Sequence, residues 1–188
     1  MTLLEKGILT LARFLKKKKL PYMIIGGVAN IFWGIPRTTL DIDITIQIKE
    51  EDYAGLIRDL NKDKYFIRTK HPLEFIQKNR VLPIETPHGM RVDLIFAGLP
   101  YEIRAIRRAR LERVGSEKVC ICSPEDLIIH KVISERPQDQ EDVRGIIKRL
   151  RGKKLDRGYL DLLIRDLAAG LAKPNILSFY LGCFDEHR

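Results

Sequence analysis

A strictly alternating stretch between Arg37 and Ile48 constrains this chain more than any other feature. One set of alternate positions is polar and includes Asp41 and Asp43, and the other set consists almost entirely of Leu and Ile. Side chains alternate between the two faces of a strand, so the pattern predicts a strand over 37–48 with one buried face. Two carboxylates about 7 Å apart on the other face repel each other unless a positive charge lies between them. The stretch therefore predicts a candidate site for a divalent cation.

A glycine pair precedes the first of these aspartates by 15 residues. The apolar run Tyr22–Ile25 predicts a short buried strand, Gly26 and Gly27 a turn, and residues 28–34 a short helix. The N-terminus of a helix presents free backbone N–H groups, and glycine lets a phosphate approach closely. A glycine pair after a strand also fits an ordinary tight turn, and its position before the aspartates is what favours an anion-binding corner.

A third carboxylate, Asp93, lies in the middle of the apolar sequence MRVDLIFAG, about 50 residues after the aspartate pair. Mg²⁺ prefers oxygen ligands and takes a few carboxylates together with substrate phosphates. Aspartate is depleted in strands, so two in one strand need a reason, although a polar edge face is the ordinary alternative. Asp93 is the best third ligand, while Asp59, Glu74 and Glu85 stay open as alternatives.

The order of the local patterns predicts an α/β (α+β) fold, in which a mixed sheet is flanked by helices. Strand and helix patterns alternate up to about residue 122. From Ser123, a predicted N-cap followed by Pro124, the patterns predict only helices. We therefore expect two domains, residues 1–122 and a C-terminal helical subdomain over residues 123–188.

The charge balance favours an anionic partner. The 188 residues carry a net charge of +9, with basic clusters at 16–19, 104–113 and 148–154. Such a surface attracts nucleotides or RNA, but a charge-rich surface also marks heat-adapted proteins. No apolar run is long enough to span a membrane, and an odd count of three cysteines fits a reducing compartment. The expected location is cytoplasmic, with no membrane partner.

These residues resemble the DNA polymerase β-type nucleotidyltransferase superfamily. The resemblance rests on Gly26-Gly27-Val28-Ala29 and on the segment Arg37–Asp43, which matches the pattern RxTxDxD. A C-terminal helix with a lysine and an arginine, followed by two aspartates, is similar too: Lys131, Arg136, Asp139 and Asp142. The small abortive-infection and toxin-type members and the aminoglycoside or lincosamide adenylyltransferases resemble the chain most. Many superfamily members have Gly-Ser where this chain has Gly-Gly, which implies one phosphate contact fewer.

The resemblance implies a role for each matching residue. The catalytic residues and metal ligands would be Asp41, Asp43 and Asp93, with Asp93 as general base or as the group that orients the acceptor. Nucleotide binding would fall to Gly26, Gly27, Arg37, Thr39, Lys131 and Arg136. Asp139 and Asp142 would place the lysine or hold the two subdomains together, although by composition alone they would be a solvated helix face.

The implied activity is Mg²⁺-dependent transfer of a nucleoside monophosphate from an NTP such as ATP to a hydroxyl group, with release of pyrophosphate. Two Mg²⁺ ions are expected. The acceptor is an RNA or tRNA end, a protein or a small molecule such as an antibiotic, and the basic surface favours RNA. A toxin-type role would add an antitoxin as partner, and a homodimer is a further candidate assembly. The alternatives are a non-catalytic nucleotide- or RNA-binding module on the same fold and a metal-dependent nuclease or phosphatase, against which the glycine corner argues.

Overall fold

The computed structural model describes residues 1–150 and 155–185 of the chain. Its strands are β1 (Tyr22–Ile24), β2 (Asp41–Ile46), β3 (Phe66–Ile67), β4 (Val81–Glu85), β5 (Arg91–Phe96), β6 (Arg110–Val114) and β7 (Glu117–Ile121). Its α-helices are α1 (Leu3–Lys17), α2 (Gly26–Trp33), α3 (Tyr53–Lys62), α4 (Pro72–Asn79), α5 (Pro100–Arg108), α6 (Pro124–Ser134), α7 (Pro137–Arg149), α8 (Arg157–Gly170) and α9 (Pro174–Asp185). A short 3-10 helix, Glu50–Asp52, precedes α3. Part of the predicted basic cluster, residues 151–154, lies outside the described residues.

The strands form one mixed, seven-stranded sheet in the order β3-β4-β5-β2-β1-β7-β6. Strand β2 runs parallel to β5, and β1 runs parallel to β7. The other neighbouring pairs are antiparallel. This architecture confirms the predicted mixed sheet with helices. No helix within the described ranges is both long and apolar enough to cross a membrane.

The chain divides into two compact units. The first contains Met1–Val28 and Thr38–Cys122, and therefore holds the entire sheet. The second contains Ala29–Arg37 together with the chain from Ser123 onwards. Helix α2 consequently begins in the first unit and ends in the second. The predicted division into domains at residue 122 stays a prediction, and it assigns the segment 29–37 differently from these units.

One face of the sheet forms the core of the first unit. Apolar side chains of the two parallel central strands are fully buried there: Ile42, Ile44, Ile46, Val92, Leu94 and Phe96. Helix α1 approaches this face so closely that a Cβ atom on Gly7 would lie 3.2 Å from Cδ1 of Ile42. The ring of Tyr53 in α3 meets that of Phe96 edge-on, with centroids 4.7 Å apart. The opposite face of β2 and β5 is mostly polar, with Ile95 as an apolar exception.

Two helices begin at side-chain caps, and the cap at Ser123 confirms a prediction. The hydroxyl of Thr2 accepts a hydrogen bond from the backbone N–H of Glu5, and the Glu5 carboxylate accepts one from the N–H of Thr2. This reciprocal arrangement satisfies two N–H groups that have no partner inside α1. Ser123 likewise accepts from the N–H of Asp126 at the start of α6. Side-chain caps thus define where both helices begin.

The predicted strand over 37–48 is too long at both ends, because β2 spans only Asp41–Ile46. The Thr39 hydroxyl donates to the backbone carbonyl of Asp41 at 3.2 Å, and the Arg37 side chain is bonded to Asp142 of α7. Local bonds of this kind give a segment an alternative to sheet pairing. The prediction that Arg37 shares the strand face of the two aspartates is therefore wrong.

Replacing Ile44 by Ala should lower the free energy of unfolding by about 2–5 kcal/mol, because it opens a cavity between fully buried neighbours. The matched control is Leu40→Ala, since Leu40 is 78% exposed and its loss should change stability by no more than about 0.5 kcal/mol. Urea denaturation of both variants provides the measurement. Equal losses for the two would contradict the assignment of the buried face.

Candidate functional site

The parallel pairing of β2 with β5 brings carboxylates of the two strands together. Asp43 is the register partner of Asp93, and Asp41 is the partner of Arg91. Register partners in neighbouring strands point to the same face and lie about 4.8 Å apart. Asp41, two residues before Asp43, shares that face. We call Asp41, Asp43 and Asp93 the carboxylate row.

The environment of Asp93 disfavours its negative charge. Burial raises the pKa of the Asp93 carboxyl, and the negative charge of Asp41 raises this pKa further. The positive charge of Arg68 acts in the opposite direction and is outweighed. A carboxyl group with a raised pKa takes up a proton more readily than an ordinary aspartate, which suits a general base.

Gly26 lies directly against Asp43. The N–H of Ile25 donates to the carbonyl oxygen of Asp43 at 2.9 Å, which continues the pairing of β1 with β2 by one residue. A Cβ atom on Gly26 would come within 2.0 Å of Oδ2 of Asp43, and Gly26 has φ +62. Both the contact and the backbone conformation thus require glycine at this position.

Gly27 makes a similar close approach to Thr39. A Cβ atom on Gly27 would lie 2.6 Å from the Thr39 hydroxyl oxygen. That hydroxyl is also 3.2 Å from Oδ1 of Asp41. Helix α2 begins at Gly26 itself, so the predicted turn before the helix is wrong: the glycine pair is the first turn of the helix. The first unit therefore brings together six of the predicted site residues, Gly26, Gly27, Thr39, Asp41, Asp43 and Asp93.

The donor chemistry of the carboxylate row fits a divalent cation. Three carboxylates on adjacent strands supply the hard oxygen ligands that Mg²⁺ prefers, and a cation between them would relieve their mutual repulsion. Across residues 1–150 and 155–185, no three His, Cys, Asp or Glu side chains lie in positions from which they could hold a metal ion together. The fit rests on the shared face and the oxygen donors, and metal binding stays a prediction.

The remaining predicted site residues belong to the second unit, where they are bonded to aspartates. Lys131 is only 4% exposed, and its Nζ donates to Asp139 at 2.9 Å and to Asp142 at 2.6 Å. Arg37 donates to Asp142 through Nε and Nη2. Arg136 donates from Nε to Asp139 at 2.6 Å, but its side chain is 74% exposed. Asp139 and Asp142 are therefore buried counter-charges and not a solvated helix face.

Asn30 joins this cluster from α2. Its Nδ2 donates to the carbonyl oxygen of Ile35 and to Oδ1 of Asp142. Burial would raise the pKa of Asp139, but hydrogen bonds from Lys131 and Ser134 outweigh burial and lower it. We call Asn30, Arg37, Lys131, Asp139 and Asp142 the buried ion cluster. It anchors the segment that precedes β2 to helices α6 and α7.

Sequence reasoning missed Arg68 and Asn30. The charge of Arg68, the residue that follows the edge strand β3, acts on Asp93. The local sequence FIRT has two apolar residues followed by two polar ones, so no alternation predicts the face of Arg68. Asn30 sits in an apolar helix sequence, where a single amide is commonly just a polar residue near a helix end. Neither contact can be predicted from local sequence, because each depends on which distant segments of the chain lie together.

The fold is that of the nucleotidyltransferases. A nucleotidyltransferase-like antigenic protein from Paracoccidioides brasiliensis has 17% sequence identity to this chain and a TM-score of 0.58, covering 94% of this chain and 91% of its own. The antibiotic-resistance factor ANT(2'')-Ia has 16% identity and a TM-score of 0.61, covering 92% and 96%. The lincosamide antibiotic adenylyltransferase LnuA, bound to lincomycin, has 14% identity and a TM-score of 0.54, covering 76% and 95%.

A family assignment follows from the sequence comparison. The chain belongs to the family described as "Nucleotidyltransferase of unknown function (DUF6036)", whose model matches residues 6–169. A comparison with curated proteins finds no significant match. The resemblance to nucleotidyltransferases is thereby confirmed at the level of the family and the fold.

Replacing Gly26 by Ala should destabilise the protein by roughly 1–3 kcal/mol, because the new Cβ meets the Asp43 carboxylate at a backbone conformation that alanine disfavours. In an Asp43→Ala background the loss should be smaller, since the nearest atoms are gone. Urea denaturation of the four proteins gives the coupling energy. Gly182→Ala is the control, because nothing lies within 4 Å of its added Cβ. Additive losses for Gly26 and Asp43 would contradict the close approach.

Replacing Lys131 by Met should lower the free energy of unfolding by about 3–5 kcal/mol, because two buried aspartates lose their shared cation. The matched control is Lys148→Met on the exposed surface of α7, with an expected change within about 0.5 kcal/mol. Urea denaturation again provides the measurement. Similar stabilities for the two variants would show that Lys131 does not hold the buried ion cluster together.

Proposed function

We propose that this protein transfers a nucleoside monophosphate from an NTP to a hydroxyl acceptor and releases pyrophosphate. The observation that carries the proposal is the register of Asp43 with Asp93, together with the close approach of Gly26 to Asp43. This arrangement puts carboxylates for a cation beside a helix N-terminus suited to phosphate. The family assignment supports the same reaction class.

Each residue of the first unit has a role in this proposal. Asp41, Asp43 and Asp93 would hold two Mg²⁺ ions, which when bound neutralise phosphate charge and make the α-phosphorus easier to attack. The backbone N–H groups of Gly26 and Gly27 receive the triphosphate. Asp93, with its raised pKa, takes the proton of the attacking hydroxyl. The chain thus supplies positioning and a proton acceptor, which is most of what phosphoryl transfer needs.

The predicted phosphate contacts of the second unit divide into two kinds. Arg37 and Lys131 hold Asp142, and we propose that they act as positioning residues for the segment leading into β2. The largely exposed guanidinium of Arg136 has room for an additional anionic partner. A phosphate contact is therefore proposed for Arg136 rather than for the two cations inside the buried ion cluster.

The acceptor and the branch of the superfamily belong to the proposal as well. ANT(2'')-Ia has been seen with adenylyl-2''-tobramycin and LnuA with lincomycin, so antibiotics are one acceptor class to test. An RNA end and a protein hydroxyl are the others. A toxin-type role, with an antitoxin or a homodimer as assembly, predicts growth arrest on expression that Asp43→Asn abolishes.

The decisive experiment incubates the protein with each α-³²P-labelled NTP, Mg²⁺ and separate pools of RNA, protein and antibiotic acceptors. Transfer of label with equimolar pyrophosphate release supports the proposal, and Asp43→Asn should lower the rate at least about 100-fold. Nucleotide binding without transfer to any pool would instead favour a non-catalytic binding module. Release of inorganic phosphate without labelled acceptor would favour a hydrolase.

Replacing Asp93 by Asn should raise the melting temperature at neutral pH in the absence of Mg²⁺. The folded-state pKa of Asp93 is raised, so its ionised form lowers stability once the pH exceeds the unfolded value of about 3.9. The advantage of Asn should therefore vanish as the pH falls below that value. Thermal melts of both proteins from about pH 3 to about pH 8 provide the measurement.

Mg²⁺ should reverse this difference. The ion stabilises the native protein by binding the folded form, and the Asn variant should respond much less. NaCl at equal ionic strength is the control for general screening. If NaCl and Mg²⁺ gave the same shift in both proteins, the carboxylate row would not be a metal site.

A further inference from the structure

A line of paired residues connects the carboxylate row to the edge of the sheet. Asp93 in β5 is the register partner of Pro83 in β4, and the carbonyl oxygen of Pro83 accepts a hydrogen bond from the N–H of Arg68 at 2.9 Å. Neighbouring strands are about 4.8 Å apart, so the Cα of Arg68 lies about 10 Å from that of Asp93. An arginine side chain spans most of that distance. Arg68 therefore belongs to the same face as the carboxylate row.

A second line runs one step along the strands. Phe66 of β3 pairs with Glu85 of β4, Glu85 pairs with Arg91 of β5, and Arg91 pairs with Asp41. Because the side chains alternate, Phe66, Arg68 and Arg91 all point to the face of the carboxylate row. We call Phe66, Arg68 and Arg91 the edge patch.

The edge patch exposes a large aromatic side chain to solvent. Phe66 is 66% exposed, and Arg68 and Arg91 are exposed too. Within the described ranges, neither arginine forms an ion pair, and the half-buried Glu85 lies between Phe66 and Arg91. An exposed aromatic ring that shares a sheet surface with two exposed arginines is suited to stacking a base and neutralising the adjoining phosphates.

The position of the edge patch relative to Gly26 and Gly27 indicates whether it faces the NTP or the acceptor. Across the sheet face the order is Gly26, Asp43, Asp93, Pro83 and Arg68. In phosphoryl transfer the attacking and leaving oxygens lie roughly in line on opposite sides of the phosphorus. With the pyrophosphate end of the NTP at Gly26, the attacking hydroxyl comes from the side of Asp93 and β4. The edge patch lies on that acceptor side.

We propose that the edge patch binds the 3′ end of a single-stranded RNA and presents its terminal hydroxyl to the carboxylate row. This inference rests on the proposed transfer reaction. Phe66 stacks on a base near the end, while Arg68 and Arg91 contact backbone phosphates. The groups of the edge patch favour this acceptor, because an exposed ring stacks on a nucleotide base and two exposed arginines bind the adjoining phosphates.

The transfer step itself is balanced without another reactant. The terminal hydroxyl oxygen of the RNA forms a bond to the α-phosphorus of the NTP. The bond from that phosphorus to the bridging oxygen breaks, and pyrophosphate leaves with the electron pair. The hydroxyl proton passes to the carboxylate of Asp93. The product is an RNA longer by one nucleotide.

The opposite edge of the sheet offers a matched control. Strand β6 carries Leu111, which is 62% exposed, and the exposed Arg113 two residues later. The spacing and composition parallel those of Phe66 on β3 and Arg68 directly after it. The double variants Phe66→Ala/Arg68→Gln and Leu111→Ala/Arg113→Gln therefore remove similar groups at opposite ends of one sheet.

The test measures binding of a fluorescent single-stranded RNA of about 12 nucleotides by anisotropy over a series of salt concentrations. We expect the β3 double variant to bind at least about tenfold more weakly and the β6 double variant within about twofold of the native protein. Arg91→Gln should reduce the salt slope by about 0.7, because the variant neutralises one RNA phosphate fewer. Equal weakening by both double variants would overturn the proposal, since it would indicate binding by general surface charge.

Two further measurements, NTP binding and label transfer to different acceptors, distinguish a failure of the RNA subsite from a failure of the proposed transfer reaction. NTP binding should be unchanged in the single variant Phe66→Ala, while label transfer to RNA falls with RNA binding. If the native protein transfers label to an antibiotic but not to RNA, the edge patch is not an RNA subsite although the transferase function stands. If no NTP binds but RNA binding depends on Phe66 and Arg68, the transferase function fails and the binding surface alone stands.

Discussion

The parallel pairing of β2 with β5 is the constraint on which the candidate site depends. It places Asp43 beside Asp93 on one face and, by the same register, Ile44 beside Leu94 in the core. Burial of each such apolar side chain stabilises by about 1.5–3 kcal/mol, whereas repulsion between two nearby carboxylates costs about 1–4 kcal/mol. The buried face therefore outweighs the repulsion and holds the carboxylates together. A slip by one residue would exchange the two faces.

The sequence was most informative where the physics is local. The alternation of Asp and Ile predicted the two faces of β2, and the cap residue Ser123 predicted the start of α6. The alternation extends beyond β2 into residues that form no strand pairing, such as Thr39. A two-residue repeat of polar and apolar side chains does not reveal that the Thr39 hydroxyl bonds to the backbone of Asp41. The position of Arg68 depends on antiparallel pairing with β4, and no local pattern specifies a partner strand.

The buried ion cluster shows a different limit of sequence reading. Lys131, Asp139 and Asp142 are spaced so that two aspartates on one face of α7 reach a single lysine of α6. The same spacing fits an exposed helix surface, and only burial makes the pairing obligatory, since unpaired charges in an apolar interior are strongly unfavourable. The family resemblance implied that the two aspartates place the lysine, and the fold adds Asn30 and Arg37 as further partners of Asp142.

Helix α2 has a consequence for dissecting the protein, because its first turn belongs to one unit and its remainder to the other. Neither unit is a continuous piece of the polypeptide. A fragment that ends at Cys122 would retain Asn30 and Arg37 but lack Asp142, their common partner. A fragment that starts at Ser123 would have the opposite deficit. The two halves of the gene are therefore not interchangeable modules, and recombination at the apparent α/β-to-helical junction would separate residues that must be inherited together.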